Sequence, residues 1–351
     1  MSPSGLDVVV DGDVLGRQRT GDETYVRSLL EELGRRDEGL RIGAVARDAS
    51  LVPAGIEARA LPVRSQAARL GWQLPRLLAG LSPRLTHFQY VIPPAWRGPS
   101  VVTVHDLSYE LLPELEDRFD GWALRRLVPR SVRRAERVFT VSEWTKDDLV
   151  RRYRLEPDRV VVTPNGVGPE FSPEGPRPDR RPYLLFVGAL RPRKDPLTAL
   201  RALGLLGGDL DLVMVGPDRG LGPAVRAFVA GEGLADRVEV LGHVTQGELV
   251  ELYRGAECLV LPTRFEGFGL PVVEAMASGT PVVSTRVGAV PEVAGEAAVL
   301  VEPGSPGALA EGIGAALADS DRLVAAGLVR AKEYSWAGMA GRTAKAYRDV
   351  L

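Results

Sequence analysis

Two carboxylates, Glu266 and Glu274, stand eight positions apart in the run EGFGLPVVE, and a Gly-rich turn and a helix start lie between them. The apolar stretch ECLVLPT before them reads as a buried parallel strand, with Gly267 to Gly269 as the turn that follows it. Pro271 suits the first helical position, where its φ fits and its missing N–H would have had no partner, and Gly279 suits a left-handed cap at the far end. Open amides at Phe268, Gly269 and Leu270 then point out of the helix start, where they and the helix dipole favour a phosphate or a sugar hydroxyl. Glu274 follows about one turn on, ~6 Å along the axis from Leu270, so a carboxylate suited to a ribose diol stands within reach of the same nucleotide. Glu266, across the turn, would face the group beyond the phosphates.

A second concentration of charge lies in YLLFVGALRPRKDP, a strand that runs into a loop bearing Arg191, Arg193 and Lys194. Fixed cations in such a loop can be aimed at charge developing on a departing phosphate. Lysine occurs only at 146, 194, 332 and 345, so Lys194 stands out against an arginine-rich background. In VVTVHDLSYELLPE a β-branched strand from Val101 to His105 places His105 and Asp106 at its carboxyl end, where ligand sites of open α/β sheets lie. Asp106 either orients the imidazole or caps the following turn. Gly21 lies at the mouth of an amphipathic helix in RQRTGDETYVRSLLEEL, and no GxGxxG occurs, which argues against a dinucleotide-dependent dehydrogenase. Three histidines and one cysteine form no cluster with metal-ligand spacing, so no metal is expected.

The elements that position these residues alternate between short β-rich runs and amphipathic stretches, twice over. In the first half the strands are expected at 7–10, 42–46, 85–89, 101–105, 137–141 and 160–163, with Ser142 capping the next helix. In the second they are expected at 183–188, 210–216, 238–241, 258–261, 281–284 and 298–301. The fold class is therefore α/β with two doubly wound domains, 1–168 and 183–335. They are joined by a Pro-rich linker, 169–182, with prolines at 169, 173, 176, 178 and 182. A length of 351 residues gives each domain a core of its own.

The formal charge of -2 gives no basic field for a nucleic-acid partner. Cys258 sits inside an apolar strand and reads as core, and with one cysteine no disulfide can form within the chain. No apolar run of about 18 residues occurs, and the sequence start lacks a basic segment followed by a long apolar stretch, so a cytoplasmic protein is expected. WALRRLVPRSVRRAERV, residues 122–138, carries six arginines among apolar positions and could lie on an anionic membrane surface, although Pro129 interrupts its stripe.

Taken together, the EGFGLPVVE run, the RPRK loop, the histidine after a first-half strand and the glycine at the first helix mouth resemble the retaining nucleotide-sugar glycosyltransferases of family four. The resemblance covers nearly the whole chain and is densest from Tyr183 to Gly304. It implies the GT-B fold, two Rossmann-like domains facing across a cleft, with a final helix, 336–351, crossing back to the first domain. It implies a metal-independent transfer, with retention, of a sugar from a nucleotide-sugar donor to an acceptor hydroxyl. GDP-mannose is favoured on family frequency, with a UDP-sugar as the alternative, and no cofactor is required, because the nucleotide sugar is a substrate. The family position matching Lys194 binds the diphosphate with a neighbouring arginine, Arg193 or Arg191. Those matching His105 and Glu266 lie at the transferred sugar, that matching Gly21 approaches the diphosphate, and the backbone at His243 and Val244 meets the base. Two positions depart from the family pattern: Ala189 where many relatives carry arginine, and Glu23 where the first loop has its second glycine. A sugar-nucleotide epimerase of the same fold and a non-catalytic binding protein are the alternatives.

Overall fold

Short apolar strands whose residues are buried on both faces assemble into parallel sheets, because only crossover helices can cover both sides. Seven such strands form the first sheet: Val8–Asp11 (β1), Ile42–Ala46 (β2), Glu57–Ala60 (β3), Leu85–Gln89 (β4), Ser100–Thr103 (β5), Arg137–Thr140 (β6) and Val160–Val162 (β7). Six form the second: Tyr183–Val187 (β8), Asp211–Val215 (β9), Val238–Gly242 (β10), Cys258–Leu261 (β11), Val282–Thr285 (β12) and Val299–Val301 (β13). The computed structural model describes residues 5–17, 20–36, 39–112 and 118–351, so two residues of the first loop, Gln18 and Arg19, lie outside the described residues.

Strand order is β3-β2-β1-β4-β5-β6-β7 in the first sheet and β10-β9-β8-β11-β12-β13 in the second, every pairing parallel. Chain direction away from the first-formed strand therefore reverses between β1 and β4, and again between β8 and β11. Crevices open beyond the carboxyl ends of the strands at such reversals.

The chain divides into Met1–Asn165 with Trp336–Leu351, and Gly166–Ser335. The first unit is built on buried Leu74, Leu78, Phe88, Val102, Val128 and Val138, the second on Leu184, Phe186, Leu200, Met214, Val260 and Ile313. Each such side chain contributes about 1.5–3 kcal/mol on leaving water. Cys258 is fully buried in β11 and its thiol is pushed up to about 12 by burial. The closing helix, Trp336–Arg348, buries Met339, Ala340, Ala344 and Tyr347 in the first unit. There the Tyr347 hydroxyl meets His87 Nδ1 at 2.6 Å, while His87 Nε2 lies 2.6 Å from Thr103 Oγ1. Burial, with a smaller push from His105, holds His87 neutral with a pKa of about 3.

The Pro-rich segment is tied to the second unit. Arg254 donates to the carbonyls of Ser172 and Glu170 at 2.7 and 2.9 Å, and Phe171 packs edge-on against Tyr253. Pro129 does not end the basic helix, which runs Arg118–Arg134 with the proline inside it. Val128 and Val132, both fully buried, anchor the turns on either side and offset the missing hydrogen bond.

Candidate functional site

At the reversal of the second sheet two loops are stitched together. After β8 the chain forms a tight turn, Pro192–Lys194, and Asp195, at φ 49°, starts the helix Pro196–Leu206. After β11 the backbone N–H of Arg264 donates to the Arg193 carbonyl at 2.8 Å, and the Arg264 guanidinium reaches Asp195 at 2.9 Å. This stitching brings the Lys194 ammonium onto the Glu266 carboxylate as an ion pair, their side chains only 12% and 8% exposed. Burial draws the Lys194 pKa down; the Glu266 charge opposes this and the Arg193 and Arg191 charges reinforce it. The loop after β12 supports Glu266 from behind, where Ala289 N–H donates to the Glu266 carbonyl at 3.0 Å. Gly288, at φ 53°, is required there, since a Cβ would sit 2.2 Å from that same oxygen.

The turn after Glu266 leads into the helix Leu270–Ala277, with Gly269 at φ 100° as its N-cap. Leu270 opens the helix and Pro271 takes the second position, one residue later than the sequence implied; neither position needs the proline's N–H. Among the described residues the amides of Phe268, Gly269 and Leu270 donate to no protein acceptor, so the helix start is open to an anion. At the other end Gly279 N–H donates to the Met276 carbonyl and Thr280 N–H to that of Ala275, a complete Schellman cap with Gly279 at φ 73°. Glu274, partly buried on this helix, accepts a 2.8 Å hydrogen bond at Oε2 from the Tyr253 hydroxyl. Burial raises its pKa to about 7, opposed by the Tyr253 hydroxyl, reinforced by Glu170 and opposed again by Lys194.

Val244 follows β10, between Gly242 and the helix Gln246–Gly255. That helix begins with a capping box: Thr245 N–H donates to Glu248 Oε2 at 2.8 Å, and Glu248 N–H returns to Thr245 Oγ1 at 3.3 Å. His243 is exposed.

His105 and Gly21 belong to the first unit. β5 ends at Thr103, two residues short of the expected strand end, so His105 stands in the loop beyond it. The reason is local: the Asp106 carboxylate accepts from Ser108 N–H and Oγ at 3.0 and 2.8 Å, which turns the chain into the helix Ser108–Leu111. Asp106 thus closes that turn, and its charge also acts on the His105 ring. His105 is 7% exposed, its Nε2 3.0 Å from Gln89 Oε1, with the Tyr25 ring edge-on at 4.7 Å and Tyr90 at 5.6 Å. Burial lowers its pKa against the opposing charges of Asp22 and Asp106, so the ring is neutral at pH 7. Gly21 is exposed in the first turn of the helix Thr20–Arg35. Glu23, two residues on, accepts from Gly16 N–H at 2.8 Å and from Arg27 at 3.1 Å, so the residue replacing a glycine is itself bonded to the backbone before the helix.

Sequence reading missed Tyr253, Gln89 and Tyr90. Tyr90 has φ 59° and is spanned by a 2.6 Å hydrogen bond from Val91 N–H to the Gln89 carbonyl, a strained turn that no local residue type announces. It also missed a buried cluster in which Arg69, 2% exposed, pairs with Asp11, while Asp13 accepts from Arg17 and Arg47 at 2.8 Å each. Among the described residues no group of three or more His, Cys, Asp or Glu could hold a metal ion, and no helix is long and apolar enough to cross a membrane.

Two family descriptions match the chain: "Glycosyltransferase Family 4" over residues 19–171 and "Glycosyl transferases group 1" over 168–328. Among curated proteins it is 29% identical over 266 residues to O-antigen chain mannosyltransferase B of Escherichia coli, a match covering 71% of this chain and 70% of that one. It is 30% identical over 286 residues to D-inositol 3-phosphate glycosyltransferase of Corynebacterium glutamicum (strain R), covering 73% and 68%. Among solved structures, sucrose-phosphate synthase from Thermosynechococcus elongatus superposes with a TM-score of 0.80 at 21% identity, covering 97% and 98% of the two chains. The reversal-point loops, the capped helix and these matches agree, and the chain belongs to glycosyltransferase family 4, a glycosyltransferase of GT-B fold.

Proposed function

We propose that this glycosyltransferase moves a sugar, with retention and without a metal, from a nucleotide-sugar donor to an acceptor hydroxyl. The observation that carries this is the buried Lys194–Glu266 pair beside the open start of the Leu270–Ala277 helix. On this reading Lys194, Arg193 and the amides of Phe268, Gly269 and Leu270 hold the diphosphate, with Gly21 approaching it. Glu274 takes the ribose, the backbone at Val244 meets the base, and Glu266 and neutral His105 position the sugar. As the bond to the diphosphate breaks, negative charge grows on the leaving oxygen, where fixed donors in a water-poor site lower the barrier most. The mannosyltransferase name of the Escherichia coli relative supports mannose as the transferred sugar, with GDP-mannose as the favoured donor and a UDP-sugar as the second reading. Lys194→Ala and Glu274→Ala should each weaken nucleotide-sugar affinity about tenfold or more, ~1.4 kcal/mol. Calorimetry with GDP-mannose and UDP-glucose measures this, and unaltered affinity and turnover in both variants would end the assignment.

Peripheral contact with an anionic membrane is supported by the solvent-facing side of the helix Arg118–Arg134, where Trp122, 54% exposed, lies beneath Arg126 and Arg125, Arg130, Arg133 and Arg134 are exposed. Cosedimentation with phosphatidylglycerol vesicles should occur at low salt, weaken at high salt and drop with Arg126→Glu/Arg130→Glu. Equal binding to neutral vesicles would refute an electrostatic contact.

A further inference from the structure

Tyr253 is fully buried, yet its hydroxyl reaches one oxygen of a carboxylate carried by another helix. Two further contacts hold this residue. Its ring meets Phe171 edge-on with centroids 5.9 Å apart. Its carbonyl accepts from the Thr280 hydroxyl at 2.5 Å. Thr280 is in turn the residue whose N–H closes the Glu274 helix by donating to Ala275. The cap that ends the Glu274 helix is therefore bolted to the residue that orients Glu274.

We propose that Tyr253 is a positioning residue for the donor's ribose: its hydroxyl pins Oε2 of Glu274 and so presents Oε1 to the diol. The inference rests on the reading that Glu274 holds the ribose. Among the described residues Oε1 of Glu274 accepts no hydrogen bond, while Oε2 is fixed at 2.8 Å. A glutamate held in one rotamer need not be ordered when the ligand arrives, and that pre-organisation appears as affinity. A diol donates both hydrogens, and the carboxylate accepts them more strongly than the acid. Three groups set which form is present. Burial, above all, and Glu170 favour the protonated form, whereas Tyr253 and Lys194 favour the charged one. Donor affinity should therefore fall as pH drops through neutrality, and loss of the Tyr253 hydroxyl should move that fall to higher pH.

The test compares GDP and UDP with their 2′,3′-dideoxy counterparts at pH 8, by calorimetry on wild type, Tyr253→Phe and Glu274→Gln. Tyr253→Phe is expected to weaken the ribonucleotide about threefold to tenfold and to leave the dideoxy form unchanged, which also shows that the site has folded. Glu274→Gln is expected to discriminate in the same sense. Tyr253→Phe affecting both nucleotides equally, or neither, while Glu274→Gln still discriminates, overturns the positioning role and leaves the ribose reading intact. No discrimination by Glu274→Gln overturns both. GDP-mannose and UDP-glucose carry no phosphate that titrates near neutrality, and a fall in their affinity at the same pH in wild type and Tyr253→Phe also overturns the positioning role.

Discussion

Glu274 shows how a site residue is maintained against folding preference. Its carboxyl holds a proton up to about pH 7 in the fold, against an ordinary value of 4.5. Between those values the folded protein binds more protons than the unfolded chain, so this group's contribution to stability is present at low pH and is lost as pH rises through 7. Glu274→Gln carries no such charge and can still accept from Tyr253. Without ligand the variant should gain on wild type by about 1–3 kcal/mol at pH 8 and by nothing below pH 4.5. Thermal melts at the two pH values measure it, and a difference that does not change with pH would show that burial of the carboxylate is not the cause.

Among the elements, the loops behind the site matter as much as the helix in front. Gly288→Ala should destabilise by more than about 1 kcal/mol, because the added methyl meets the Glu266 carbonyl and φ is positive. Turnover should fall with it as Glu266 shifts. Gly247→Ala, in the helix Gln246–Gly255 with open space around it, should instead be neutral or slightly stabilising. Melting temperature and initial rate for the two variants separate a close backbone approach from a general loss of glycine. Every strand rich in Val, Ile, Leu or Phe was legible from composition. β3 was not, since its EARA sequence is a partly exposed edge strand with no β-branched residue. The start and stop of the Leu270–Ala277 helix were legible to within a residue, because caps are chosen by neighbouring backbone.

Across the whole molecule, the chain leaves its first unit at Asn165 and re-enters it at Trp336, and the return is secured by Tyr347 on His87, 260 positions apart. The sequence by itself determined the alternation of strands and helices, the glycine turn with its open amides, and which loops bear charge. Each of these depends on residues within a few positions of one another, where backbone sterics and hydrophobic period act. Tertiary structure alone decided that Lys194 meets Glu266 across 72 positions and that Tyr253 meets Glu274 across 21. A hydrogen bond needs its atoms placed within a few tenths of an ångström, and only the packed sheets and their stitched loops fix distance that finely.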